Sequence, residues 1–306
     1  MINPGAELIE AYDLGRLIAL EKVSGGGPAV RKLITDTGTF LVKPAYQPFV
    51  WELYGTMETR LNDRGVRQAR LIRTTQGAAV SPTGHVVQEW LDGQMTMTPD
   101  AQQTRATFRH LAHYTAELAG IGVPTELITS ETIFDLVTET AWLTDNVGSL
   151  LRLLPDDWAR APLDVALSHL GDLPALPAQL VHGDVGPDNV LFAGRDVLAI
   201  IDFTPCHAPA VFGLCTALYW FFVHGRTEPD RAGLNDACAA FDEIRPLTVQ
   251  ERAALPPMLI KEALRRLATP LALAGPAAAP VDTPSVRHRY RAVVALVTRY
   301  DDLIDG

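Results

Sequence analysis

The segment LVHGDVGPDNVLF, residues 180–192, followed after a short interval by AIIDF, residues 199–203, decides how the rest of the chain is read. Asp184, Asn189 and Asp202 are three oxygen-bearing side chains bracketing a short loop and a hairpin, NVLFAGRDVLAIIDF, whose bend Gly194 supplies. Phosphoryl transfer needs such a set. A carboxylate must orient the attacking hydroxyl and accept its proton, and oxygen ligands must hold magnesium against nucleotide phosphates. Asp and Asn also favour turns for local reasons, but the joint spacing of all three favours chemistry over turn formation.

The D-x-x-x-x-N step ahead of a hairpin ending in Ile-Asp-Phe has the order and spacing of a kinase catalytic loop and its metal-binding aspartate. With HGDVGPDN at 182–189 in the form HGDxxxxN, the chain resembles the aminoglycoside phosphotransferase and choline kinase-like superfamily, small-molecule kinases with a protein-kinase-like fold. The resemblance implies that Asp184 is the catalytic base, that Asn189 and Asp202 hold magnesium, and that His182 braces the loop. It also implies a bilobal α+β fold, with a small antiparallel-sheet lobe at residues 1–92 for nucleotide and a larger, mainly helical lobe at 93–306 for the acceptor. Two departures from the family pattern stand out. Gly213, in AVFGLCTAL, lies where the family commonly places an acidic anchor for the catalytic loop, and Asp202 is followed by Phe-Thr rather than Phe-Gly.

Working outward to the N-terminal side, residues 17–43 read as three strands, LIALEKV, AVRKLITD and TFLVK, separated by the Gly25-Gly26-Gly27 turn and a Thr37-Gly38 turn. Phe49, Leu53, Met57 and Leu61 then recur every four positions, the apolar face of a helix ending near Gly65. Strand, glycine turn, strands with a lysine and helix with a glutamate is the order of that family's nucleotide lobe. By resemblance, Lys43 reaches the α and β phosphates, Gly25, Gly26 and Gly27 let backbone amides approach phosphate, and the linker Gln88–Leu91, with Glu89 and Leu91, meets adenine. Lys43 is one of four lysines. Its partner is expected to be Glu58, on the flank of the apolar stripe, with Glu52 in reserve. A hinge is expected at Asp92-Gly93.

To the C-terminal side, Thr98 before Pro99 reads as the cap of a long helix that Gly120 stops. Ala208–Val223 reads as a buried helix, too short and too broken by Pro209 and Gly213 to cross a membrane. Further helices are expected near 231–244, 248–268 and 284–303, with LALAGPAAAP at 271–280 as a connector. His110 and His113 share a helix without nearby acids, which argues against a metallohydrolase.

Composition narrows the partners. At 306 residues, 47% hydrophobic and 20% charged, the chain is of globular type. Its three cysteines, Cys206, Cys215 and Cys238, form no CxxC pair and read as buried apolar residues in a reducing compartment. The acidic start MINPGAELIEAYD lacks signal-peptide features, so a cytoplasmic location is expected. Residues 1–92 carry 10 basic and 10 acidic groups and residues 93–306 carry 16 and 26, which disfavours nucleic acid and membrane partners and suits a polar or cationic small substrate. The expectation is an ATP- or GTP-dependent, magnesium-requiring kinase for a hydroxyl of an antibiotic-like substrate. A metabolic kinase for homoserine, choline or a sugar is the alternative, the homoserine reading resting on YGTMETRLNDRGV at 54–66, and a catalytically silent nucleotide-binding module is the competitor from another class.

Overall fold

A computed structural model of the chain describes residues 4–23, 27, 29–45, 47–128, 134–274 and 281–304. The chain forms two compact units. One comprises Met1–Gln94 together with Leu191–Gly194 and Leu198–Ile201, and the other comprises the remaining residues.

The first unit runs α1 (Pro4–Tyr12), β1 (Leu17–Lys22), β2 (Arg31–Thr35), β3 (Thr39–Pro44), α2 (Pro48–Asp63), β4 (Leu71–Ile72) and β5 (His85–Glu89). Its strands form one antiparallel sheet in the order β1-β2-β3-β5-β4. The three expected strands are therefore present, and β5 is an interior strand rather than an edge. Gly25 and Gly26 lie outside the described residues; the Gly27 carbonyl accepts the Val30 N–H at 3.0 Å. Leu53, Met57 and Leu61 are buried along α2, as their spacing requires.

The first helix, α1, carries no periodic signal long enough to be seen beforehand. Leu8 and Tyr12 nevertheless pack with Leu14, Leu33, Val42 and Val87, and the Tyr12 hydroxyl donates to the His85 carbonyl at 2.7 Å. Residues just past the expected hinge belong to this unit through Gln94, which bridges Phe192. Leu91 packs beside Ala69, Leu191 and Ala199.

The second unit holds α3 (Ala101–Leu118), β6 (Phe134–Asp135), α4 (Leu136–Leu151), α5 (Ala161–Ser168), β7 (Ala178–His182), then the hairpin β8 (Val190–Ala193) and β9 (Asp196–Ile200), part of which belongs to the first unit, and then β10 (Pro205–Pro209). Four helices follow: α6 (Ala210–Phe222), α7 (Arg231–Asp242), α8 (Val249–Ala274) and α9 (Pro284–Thr298). The cap of α3 is Asp100, not Thr98. Its carboxylate accepts from Gln103 N at 2.8 Å while the Gln103 side chain accepts from Asp100 N at 3.0 Å, two orphan amides satisfied at once. The expected connector at 271–280 is also corrected in part. The last helix before it, α8, continues to Ala274 despite Pro256, Pro257 and Pro270 within it, while 275–280 lie outside the described residues.

Nearly every residue of α6 is buried, and Cys206, Cys215 and Cys238 are buried free thiols. No helix among the described residues is long and apolar enough to cross a membrane.

Candidate active site

Strand β7 lies antiparallel to β10, with His182 opposite Pro205 and Val181 opposite Cys206. Beyond that last pair the Gly183 N–H still donates to the Thr204 carbonyl at 2.8 Å. Asp184 leaves the end of β7 and Asp202 precedes the start of β10, so the register puts both at the same end of this ladder. Asp202 is exposed and adopts φ 57°, one of two non-glycine residues in the left-handed region among those described. Such backbone costs energy for an ordinary side chain and concentrates at functional positions.

The loop is tied at each predicted residue. His182, 2% exposed, accepts the Asp184 N–H on Nδ1 at 3.2 Å and makes an edge contact with Phe203 at 5.5 Å between ring centroids. Asn189 sends Nδ2 back to the Asp184 carbonyl at 2.8 Å, which leaves its amide oxygen as the atom able to hold a cation. An amide oxygen from Asn189 and a carboxylate from Asp202 are the hard donor types that suit magnesium. Among the described residues no three His, Cys, Asp or Glu side chains converge as a metal cage. A nucleotide-borne magnesium that keeps its waters needs only one or two protein ligands.

What holds the Asp184 carboxylate comes from far along the chain. Trp220 on α6 donates Nε1–H to Oδ1 at 3.1 Å, and Arg266 on α8 donates Nη2–H to the same oxygen at 2.6 Å. The guanidinium carbon of Arg266 lies 4.5 Å from the Trp220 ring centroid, so the indole and the cation brace one another as well as the carboxylate. Arg266 is aimed in turn by Glu262, fully buried, which accepts Nε–H of Arg266 at 2.6 Å and two N–H groups of Arg265 at 2.7 and 2.6 Å. Burial alone would raise the Glu262 carboxyl, but Arg265 and Arg266 draw it below its ordinary value, so it is held as an anion. One turn earlier Lys261 pairs with Glu139 of α4. Oδ2 of Asp184 has no partner among the described residues, and the side chain is 37% exposed.

Glu262 and Arg266 were not singled out in the sequence, where they fall within an expected helix near 248–268, and Trp220 reads there as one of an aromatic group, Phe212, Tyr219, Trp220, Phe221 and Phe222, that favours core packing over a ligand cage. Gly213, where the family places an acidic anchor, sits over β7. A Cβ there would lie 3.5 Å from the His182 carbonyl, and the anchoring of the loop falls to Trp220 and Arg266 instead.

In the first unit, Lys43 stands opposite Val86 in the sheet with its ammonium 4.8 Å from the Trp51 ring centroid. The two glutamates considered for it differ. Glu58 is 8% exposed, accepts from Asn62 Nδ2 at 2.9 Å, and its carboxyl is raised by burial. Glu52 is exposed and bonds Arg73 at 2.9 Å and the Ala79 N–H at 3.1 Å. Glu89, the last residue of β5, pairs with Arg67.

The chain is similar to known proteins over most of its length. A model of the Phosphotransferase enzyme family matches residues 54–247. The homoserine kinase of Neisseria meningitidis is 25% identical over 262 residues, 81% of this chain and 81% of its own. That of Nitrobacter winogradskyi is 28% identical over 287 residues, 87% of this chain and 82% of its own. Among solved structures, an aminoglycoside phosphotransferase from Alicyclobacillus acidocaldarius superposes with a TM-score of 0.73 at 15% identity, over 99% of this chain and 94% of that one. A choline kinase from Streptococcus pneumoniae does so with 0.57 at 13% identity, over 95% and 96%. The structural likeness establishes the protein-kinase-like α+β fold expected from the catalytic-loop motif.

Proposed function

The chain belongs to the Phosphotransferase enzyme family, and on that footing we propose that it transfers the γ-phosphoryl group of a nucleoside triphosphate to the hydroxyl of a small hydroxy amino acid, with Asp184 as the base. The observation that carries this reading is the state of the Asp184 carboxylate: Oδ1 held by Trp220 and Arg266, Oδ2 open. In the reaction the acceptor oxygen bonds to the γ-phosphorus, the bond from that phosphorus to the β–γ bridging oxygen breaks, and the hydroxyl proton passes to Oδ2. A loose transition state releases that proton late, so Asp184 works chiefly by orienting the nucleophile. Asn189 and Asp202 would hold magnesium, which would supply neutralisation of phosphate charge. By the family resemblance, Lys43 would meet the nucleotide phosphates and the linker Gln88–Leu91 would meet adenine.

Two acceptor classes are open from the sequence, an antibiotic rich in amines and a metabolite such as homoserine. Net acidity of the larger unit favours the first. The immediate surroundings of Asp184 favour the second, because the charged group on that carboxylate is the Arg266 guanidinium, poor company for a polycation. Homoserine kinases among the relatives support the same choice.

A transfer screen offering homoserine, choline, sugars and aminoglycosides with ATP and GTP, read by mass spectrometry for an added phosphate, tests the reading. We expect product from homoserine. Asp184→Asn should lower kcat by about 10²- to 10⁴-fold and leave nucleotide affinity within a few-fold. Near-full turnover in that variant would remove Asp184 from the mechanism.

A further inference from the structure

Around Asp184 the second unit gathers more positive charge and more unmet hydrogen-bonding capacity than its own fold consumes. Arg289 of α9 donates Nη1–H to the Arg266 carbonyl at 2.6 Å, which draws its guanidinium to the backbone of the residue that grips Asp184. Its other N–H groups, and Nη1 of Arg266, have no partner among the described residues. Tyr219 precedes Trp220 on α6 and is 0% exposed, yet its hydroxyl makes no hydrogen bond. His224 packs against both rings, at 5.9 Å from Tyr219 and 4.5 Å from Trp220, and its Nδ1 is also buried without a partner, as is Nε2 of the neighbouring His288.

Buried polar atoms are almost always satisfied, so the unpartnered Tyr219 hydroxyl and the ring nitrogens of His224 and His288 point to a polar group that the fold itself does not supply. The charge balance indicates its sign. Glu262 is already shared by Arg265 and Arg266. Burial, and then repulsion from Arg266 and Arg265, depresses Arg289 despite the opposing pull of Tyr219. Burial, His288, Arg289 and Arg266 likewise depress His224. An anion would relieve all of these.

We propose that Arg266, Arg289 and the Tyr219 hydroxyl form a subsite for the carboxylate of the acceptor, which fixes that acceptor's hydroxyl beside Asp184. The inference rests on the phosphotransferase reading for its placement but not for its chemistry. A carboxylate takes two lone-pair contacts from a guanidinium fork and a third from a phenol. Bound there it also competes with Asp184 for Arg266, so an acceptor bearing a carboxylate loosens the grip on the base as it arrives.

The test measures equilibrium binding to the full chain without nucleotide, by calorimetry, with L-homoserine as probe and L-homoserine amide as its neutral counterpart. The acid should bind about 10- to 100-fold more tightly than the amide. Arg289→Gln should bring the two within about twofold by weakening the acid alone, and Tyr219→Phe, which keeps the ring and hence the packing, should cut the preference about 5- to 10-fold. Equal affinity in the wild type, or a preference left intact in both variants, overturns the subsite, as does failure of the acid to bind. Displacement of the acid by an equal concentration of inorganic phosphate, with no preference over the amide, assigns the cluster to phosphate and also overturns it. The two readings separate cleanly. Carboxylate-dependent binding without phosphate transfer defeats the kinase reading alone, and transfer to neutral or cationic hydroxyls without carboxylate preference defeats the subsite alone.

Discussion

A methyl group added to Gly183 has nowhere to go: its carbon would lie 2.1 Å from Cys206 Sγ and 3.3 Å from Cys206 Cβ. The glycine of the HGD triplet is thus required by the approach of β7 to β10, which sets Asp184 at the end of the ladder with Asp202. Gly183→Ala should destabilise the protein by about 1–3 kcal/mol, measured by urea unfolding, and the loss should shrink in a Cys206→Ala background. Equal losses in both backgrounds would show that the contact is not the cause. At this scale the polar triad was legible and its supports were not. Asp184, Asn189 and Asp202 stand within one loop and hairpin, where fixed spacing carries information. Trp220 and Arg266 reach Asp184 from 36 and 82 residues away. Neither their type nor their neighbours distinguish them from core aromatic and surface arginine, because helix periodicity reports which face is buried and not what a side chain there meets.

Elements were read well where the chain punctuates itself and poorly where tertiary packing overrides local preference. Glycine and threonine turns marked β1 to β3, and a four-residue stripe marked α2. By contrast β10 contains two prolines in five residues and exists because it pairs with β7 and β6. Helix α8 tolerates Pro256 and Pro257 because its flanking residues Leu255, Met258, Leu259 and Ile260 are all buried. Its start is secured by a capping box in which Glu251 N donates to Thr248 Oγ1 at 3.1 Å and Thr248 N donates to Glu251 at 2.9 Å. Arg245 adds a bond to the same carboxylate at 2.6 Å. Burial lifts the Glu251 carboxyl, but its bonds with Arg245 and Thr248 outweigh that and leave it below its ordinary value of 4.5. Since the folded form is the stronger acid, the unfolded chain binds more protons as pH falls through this range. The stabilisation is complete above about 4.5 and is lost as pH drops through the lower, folded value. Glu251→Gln should therefore be less stable than the wild type at pH 7, by roughly 1–2 kcal/mol, and the gap should narrow between pH 5 and 3 in urea titrations. A gap independent of pH would assign the effect to packing.

Across the whole molecule, the architecture was accessible because one short motif selected it and the order of elements agreed with the selection. The charge about the base was not, since the summed charge of residues 93–306 is acidic while the ion pair on Asp184 is made by Arg266, and a sum hides the placement of its members. The proposed division of labour, nucleotide to the first unit and acceptor to the second, gives a prediction that needs no acceptor at all. A ligand that binds only the folded state stabilises it by about 2.7 kcal/mol at a hundredfold excess over its Kd, worth about 4 °C in Tm for a chain of this size. Magnesium-ATP should raise the unfolding temperature by that amount in the wild type. If the proposed roles hold, Asp184→Asn should keep the rise, because the base would meet the hydroxyl and not the nucleotide, whereas Lys43→Ala should lose most of it through the phosphate charge left uncompensated, and removal of magnesium by a chelator should reduce it in every variant. Scanning calorimetry of the three proteins with and without nucleotide reads these differences directly. A rise preserved in Lys43→Ala and abolished in Asp184→Asn would reverse the roles assigned to the two residues, and with them the division between nucleotide unit and acceptor unit.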